Sequence, residues 1–395
     1  MFKKKAEEEL SPFIYGKTVS SLSFTNREEE LLKLVNNLKQ GINTMLISPR
    51  RWGKSSLVEK AVLHLNKESG RYKTVSIDLF SVPSQHYFLE IFAREVIKAS
   101  SNKWEDWMQV AKNAFKKLNP KIQIGVNPSI DFTITFDGQE LSKYPDEVLD
   151  LPRVLGEQKN IRYVICLDEF QNLAQLDDYE VFEKQMRAVW QRQKNVTYCL
   201  YGSKRHMMKD IFNTPSKPFY RFGDIMLLPK IKEEKWVSFI VSSFKKTGKN
   251  ISKKDAAFIP KLMNNHSWYV QQFAHYTWQN TTTTAEVFEM NKALAELIRA
   301  NSPLYQREIE LLTNAQVNLL KAITQKESQL TAKATLEKYK LGTSAAVVKN
   351  RTMMIHQDLL NQEKGSCEFL DPAFELWFRF VFFKEDYLLP QKEKK

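Results

Sequence analysis

The stretch "TMLISPRRWGKSSLVEKAVLHLNKE", residues 44–68, restricts the possible folds more than any other part of the chain. It opens on a short apolar run suited to a buried strand and closes on apolar residues at helical spacing. Between the two, Gly53, Lys54 and Ser55 supply the second half of G-x-x-x-x-G-K-[ST], while Ser48 stands where the first glycine belongs. Such a loop turns its backbone N–H groups into a ring at a helix N-terminus, where the helix dipole favours an anion. Ser48 suits that shape if its backbone avoids the left-handed region, and Pro49 stiffens the same turn. The expected phosphate contacts are Pro49, Arg50, Arg51, Trp52, Gly53, Lys54, Ser55 and Ser56.

Three more apolar runs read as buried strands: "YKTVSIDLF" (72–80), "RYVICLDEF" (162–170) and "VTYCLYGS" (196–203). Helical stretches such as "EELLKLVNNLKQ" before the loop and "VFEKQMRAVWQRQ" alternate with them. That alternation predicts an α/β core with a parallel sheet covered on both faces. Within it, "KIQIGVNPSIDFTITFDG" alternates apolar and polar residues around Asn127-Pro128, which predicts a β-hairpin insertion at about 120–137. Cys166, Cys199 and Cys367 have no metal-ligand spacing and read as inert core thiols.

A nucleotide site needs more than the loop. The strand "YVICL" runs into Asp168-Glu169, so a carboxylate leaves a buried strand beside the loop. There Asp168, with the Ser55 hydroxyl, can hold the shell of a Mg²⁺ ion, and Glu169 can orient or deprotonate an attacking water, while Lys54 meets the β and γ phosphates of ATP. After the next strand, Ser203 in "LYGSKRHMM" is placed to sense the γ phosphate.

Together, "FTNREEELLKL", "ISPRRWGKSSL", "VICLDEFQNL", "CLYGSKRHMM" and "PFYRFGDIMLLP" resemble the archaeal-type ATPases of prokaryotes, a STAND branch of the AAA+ P-loop NTPases. The resemblance covers nearly the whole chain. It implies that Asp168 and Glu169 are the Walker B pair, Ser203 the sensor, Arg27 a neighbour of the adenine, and Arg221 the arginine of a "YGR"-like segment. Such ATPases commonly work as oligomers with an arginine supplied across the interface. Two departures stand out: Ser48 replaces a glycine, and Ser267 stands where the family's helical lid often has the proline of a Gly-x-Pro motif.

After Pro229 the chain turns helical, with "EEKWVSFIVSSFKKTG", "SKKDAAFIPKLMNNHSWYVQQFAHYTWQN" and "AEVFEMNKALAELIRAN" read as one helix each. The expected organisation is a P-loop core over 1–230, a helical lid over 231–305, with its end near Ser302-Pro303, and a third domain over 306–395. In that third domain "NAQVNLLKAITQ", "TAKATLEKYKL" and "SAAVVKNRTMMIHQDLLNQE" read as helices, followed by a short turn, a strand and the aromatic helix of "LDPAFELWFRF". This is the outline of a winged helix, and the resemblance implies the same. Relatives often continue into a nuclease-like domain, which is not expected here.

The net charge is +13, and residues 203–262 hold 14 Lys or Arg against 5 Asp or Glu. Lys245, Lys246 and Lys249 are candidates for an exposed basic strip. From 316 onward the count is 13 against 10, and the reading helix offers Lys349, Asn350, Arg351 and His356. Those are few side chains for the phosphate contacts that dominate DNA affinity, so double-stranded DNA and a protein stay open as partners. The chain start turns acidic where a signal peptide needs an apolar core, and no run is long enough to cross a bilayer, which predicts a cytoplasmic protein. The leading expectation is an ATP-driven switch acting through the winged helix. The alternative is a DNA-binding regulator that binds ATP and barely hydrolyses it; a small-molecule kinase is disfavoured by the water-activating Glu169.

Overall fold

The computed structural model describes residues 10–16, 27–68, 70–125, 127, 132–363 and 366–389. By its internal contacts the chain forms two compact units. The first holds Arg27–Arg50 and Lys54–Pro229; the second holds Lys230 onward together with the N-terminal residues and Arg51–Gly53.

The strands of the first unit are β1 (Thr44–Ile47), β2 (Tyr72–Asp78), β3 (Lys121–Gln123), β4 (Thr133–Thr135), β5 (Arg162–Asp168), β6 (Val196–Gly202) and β7 (Asp224–Leu227). Five of them form a wholly parallel sheet in the order β2-β5-β6-β1-β7. Every residue of β1 and β6 is buried, whereas the edge strand β2 mixes buried and exposed positions. Central parallel strands have helices on both faces, which is why their sequences are continuous apolar runs. The apolar core fills with the helix Gln85–Ser100 and with Phe170, Phe182, Trp190 and Tyr198. β3 and β4 pair antiparallel, Ile122 opposite Ile134, while Pro128 of the expected turn lies outside the described residues. Cys166 and Cys199 face each other in the register of β5 and β6, fully buried, and the Cys199 thiol is pushed up by its contact with Cys166 and by burial.

The second unit corrects two readings of the sequence. The segment read as one helix over 252–280 is two, Lys253–Leu262 and Ser267–Asn280, because Asn264 and Asn265 both take left-handed backbone, which helix interiors exclude. A single helix, Val287–Glu310, runs through the position of the boundary expected near Ser302-Pro303. That helix packs against Pro372–Phe383, with the Trp377 indole donating to Ser302 Oγ at 2.9 Å and Tyr305 stacked on Phe374. The third helix of the C-terminal segment ends at His356, and Leu360–Glu363, read as its continuation, forms a strand.

Two short strands, β8 (Asn250–Ile251) and β9 (Thr284–Ala285), pair in parallel beside the helices. The helices Asn314–Thr324, Lys333–Tyr339 and Ser344–His356, the antiparallel pair β10 (Leu360–Glu363) and β11 (Ser366–Phe369), and the helix Pro372–Phe383 follow in winged-helix order. Asp371 caps the last helix, accepting from the Ala373 and Phe374 N–H groups at 2.9 Å each, and also accepts from the buried hydroxyls of Tyr269 and Tyr305. Asp371→Ala removes a cap and leaves the buried Tyr269 hydroxyl without an acceptor, while Tyr305 keeps Tyr269 as its partner, so it should lower unfolding free energy by about 3 kcal/mol. Urea denaturation of the two chains measures this.

Candidate functional site

The C-terminal ends of parallel strands in the first unit carry the loop, the acidic pair and Ser203. β1 ends at Ile47 and leads into the loop, and the helix Lys54–Asn66 starts where the loop ends. Ser48 is buried with its hydroxyl donating to the Pro49 carbonyl at 3.2 Å, and its φ is not positive. The condition set for a residue other than glycine there is met. The left-handed positions of the loop are Arg51, at φ +65°, and Gly53, at φ +91°. A Cβ added to Gly53 would meet no atom within 4 Å, so the absent side chain leaves open space at the mouth of the loop.

Asp168 ends β5, and Glu169 follows at φ +51°, a left-handed backbone that a glutamate seldom adopts and that recurs at functional sites. The Lys54 ammonium lies 3.3 Å from Asp168 Oδ1 and 3.1 Å from Glu169 Oε1. Ser55 Oγ donates to Asp168 Oδ2 at 2.8 Å. On the other oxygen of Glu169, Ser203 Oγ donates at 2.7 Å and Gln171 Nε2 at 2.5 Å. Arg50 Nε reaches Ser203 Oγ at 3.4 Å. One lysine is therefore shared by two carboxylates, and every partner of Glu169 donates to it.

These contacts separate the two acids. Burial pushes the Asp168 carboxyl up, with Glu169 adding to the rise, against the pull of Lys54 and Ser55. Burial works on Glu169 too, but Lys54 and the hydrogen bonds from Gln171 and Ser203 hold it below the ordinary carboxylate range. A glutamate kept ionised beside a differently tuned acid is an arrangement suited to proton transfer. The hard oxygens of Ser55 and Asp168, already in contact, fit a Mg²⁺ ion that completes its shell with phosphate oxygens and water.

Gln171 is a residue that sequence reasoning did not single out. It is fully buried in the turn Phe170–Gln175, and its signal was a polar residue inside an apolar stretch. What places it is Gly202: a Cβ there would sit 1.9 Å from Gln171 Oε1 and 2.8 Å from Met208 Sδ. Gly202→Ala should drive Gln171 off Glu169 and cost about 2 kcal/mol of stability by overpacking. It removes one of the bonds holding the Glu169 carboxyl down, so the acid limb of the kcat/KM pH profile should move to higher pH.

Other expected residues lie elsewhere. Arg27 is buried, donating to the Pro229 carbonyl at 2.6 Å and to Glu30 at 3.0 Å. Pro49, Trp52 and Ser56 are buried, and Arg51 lies over the Trp268 ring at 4.3 Å. Arg221 is not brought to the carboxylates. Asp224 pairs with Thr44 at the start of β1, so Arg221 precedes the edge strand at the end of the sheet opposite the loop, exposed and against its neighbour Tyr220. Lys249 does not belong to an exposed strip, because its ammonium donates to the Trp278 carbonyl at 3.0 Å and lies over that ring. On the helix Ser344–His356, Lys349 and His356 are exposed, Asn350 and Arg351 half-buried.

Residues 303–380 match the model described as "Probable winged helix domain". Among solved structures, the Walker-type ATPase of Pyrococcus abyssi superposes with a TM-score of 0.65 at 16% identity, covering 91% of this chain and 97% of that one. The ORC2 protein of Aeropyrum pernix, in its ADPNP-ADP complexes, gives 0.54 at 12% identity and 93% of both chains. Compared by sequence with curated proteins, the chain matches none. Among the described residues no helix is long and apolar enough to cross a membrane. The chain thus has the α/β fold of the Walker-type P-loop ATPases, followed by a C-terminal winged helix.

Proposed function

We propose that this chain binds ATP with Mg²⁺, hydrolyses it slowly, and uses the nucleotide state to control a winged helix that contacts DNA or a protein. The observation that carries the reading is the Lys54 ammonium shared by Asp168 and Glu169, with Ser55 on the first acid and Ser203 on the second. A bound Mg²⁺ would neutralise phosphate charge and orient the phosphates. Gly53 leaves the loop open to the phosphates, and the N-terminus of the helix Lys54–Asn66 faces them with its partial positive charge. Lys54 supplies a point charge, and Ser55 with Asp168 supplies oxygens for the ion. Glu169, held ionised, takes a proton from the attacking water, and Ser203 fixes its orientation.

A second reading is favoured by one observation: both Glu169 oxygens are already occupied by donors. A base so engaged turns over slowly, which suits a DNA-binding regulator that binds ATP with little hydrolysis. Mg²⁺-dependent ATP turnover by the full chain, with and without double-stranded DNA, decides between them. Turnover supports the switch, and stimulation by DNA identifies the partner class. ATP binding without turnover sinks the hydrolase and leaves the regulator.

A further inference from the structure

A cavity of about 390 Å³ opens beside Glu169 within the first unit, lined among others by Arg50, Asn172 and Lys204. Its lining residues Phe80, Glu169 and Lys204 follow the ends of β2, β5 and β6. Lys54 is neutralised by the two carboxylates, but Arg50 and Lys204 pair with no carboxylate among the described residues. Arg50 is exposed and belongs to the loop itself, and its guanidinium bonds to the hydroxyl that positions Glu169. A guanidinium with no carboxylate partner and a held carboxylate therefore line one cavity together.

We propose that Arg50 is the catalytic arginine of this chain, acting in cis on the phosphoryl group during ATP hydrolysis. The inference rests on the hydrolase reading above. In the reaction the water oxygen bonds to the γ phosphorus, and the bond from that phosphorus to the bridging oxygen breaks with its electron pair left on ADP. One water proton passes to Glu169 and on to solvent; the other stays on the phosphate. Negative charge grows on the bridging oxygen and spreads over the γ oxygens, and a planar, always-charged guanidinium stabilises it. Arg221 cannot serve the same loop, since it lies at the opposite end of the sheet. Supplied from its own loop, the arginine makes turnover independent of assembly.

The test compares wild type, Arg50→Ala, Arg50→Lys and Glu169→Gln in ATP affinity, steady-state turnover, and specific activity over a hundredfold range of enzyme concentration. Arg50 is exposed, so its replacement should leave the fold intact, which thermal melting checks. Arg50→Ala should lower kcat about 100-fold or more with the ATP Kd changed less than about threefold. Arg50→Lys should recover little, because a point charge does not reproduce the fork. Wild-type specific activity should be flat with concentration. Wild-type turnover with Arg50→Ala, or a loss confined to Kd, overturns the role of Arg50 alone. Specific activity that rises with concentration overturns action in cis. No turnover by the wild type, with ATP bound, overturns both this inference and the hydrolase reading.

Discussion

Glu169→Gln should lower ATP turnover about 100-fold or more and leave ATP affinity within a few-fold of wild type. The amide keeps the shape and can still accept from Gln171 and Ser203 through its oxygen, so the fold around the left-handed residue survives. What it loses is the capacity to take a proton, together with the charge facing Lys54. Removing that charge frees Lys54 from one of its two acids, which favours phosphate binding, so Kd should hold or fall slightly. Titration with a fluorescent ATP analogue and a coupled turnover assay separate the two effects. Equal loss of affinity and turnover would make Glu169 a structural acid.

Lys54→Ala should abolish measurable ATP binding and also destabilise the protein without nucleotide. The lysine side chain is only 7% exposed, and its partners Asp168 and Glu169 are 18% and 20% exposed. Without it, two neighbouring carboxylates remain in a poorly solvated place with no cation between them. Removing one member of such a pair costs on the order of 2 kcal/mol where some solvent still reaches the acids.

The sign of the pH dependence follows from the same contacts. Lys54 pulls both acids down, so the stability it gives is full above the titration of Asp168, which burial raises, and is lost as pH falls through that titration and then through the lowered one of Glu169. The deficit of Lys54→Ala should therefore be largest near pH 8 and shrink toward pH 4, where protonation relieves the repulsion. Thermal melting of both chains across that range measures it. A deficit independent of pH would mean that lost packing, not lost charge, dominates.

Much of this architecture was legible because its signals are local. Buried parallel strands show as continuous apolar runs, and the strand, glycine-lysine-serine loop and helix are contiguous, so Lys54 and Ser55 could be placed from spacing. Asp168-Glu169 ends a strand that the same reasoning locates, and the winged-helix order follows from helical periodicity and a short hairpin. Failures arose where a local signal was ambiguous. Two asparagines that break a helix look like helix surface, and the strand Leu360–Glu363 looks like the end of the helix before it.

By itself the sequence determined the parallel α/β core, the loop at the end of β1 and the acids at the end of β5. Which side chains converge on those acids depends on contacts between segments distant in the chain. Gln171 reaches Glu169 because Gly202, from another strand, leaves room for it; Arg50 meets Ser203 across a gap of 153 positions in the chain; and Arg221 is excluded by the parallel pairing of Asp224 with Thr44. Motif and periodicity report bonds along the chain. Register between strands distant in sequence is fixed by burial of both sheet faces and by backbone pairing, and neither is written in any one segment.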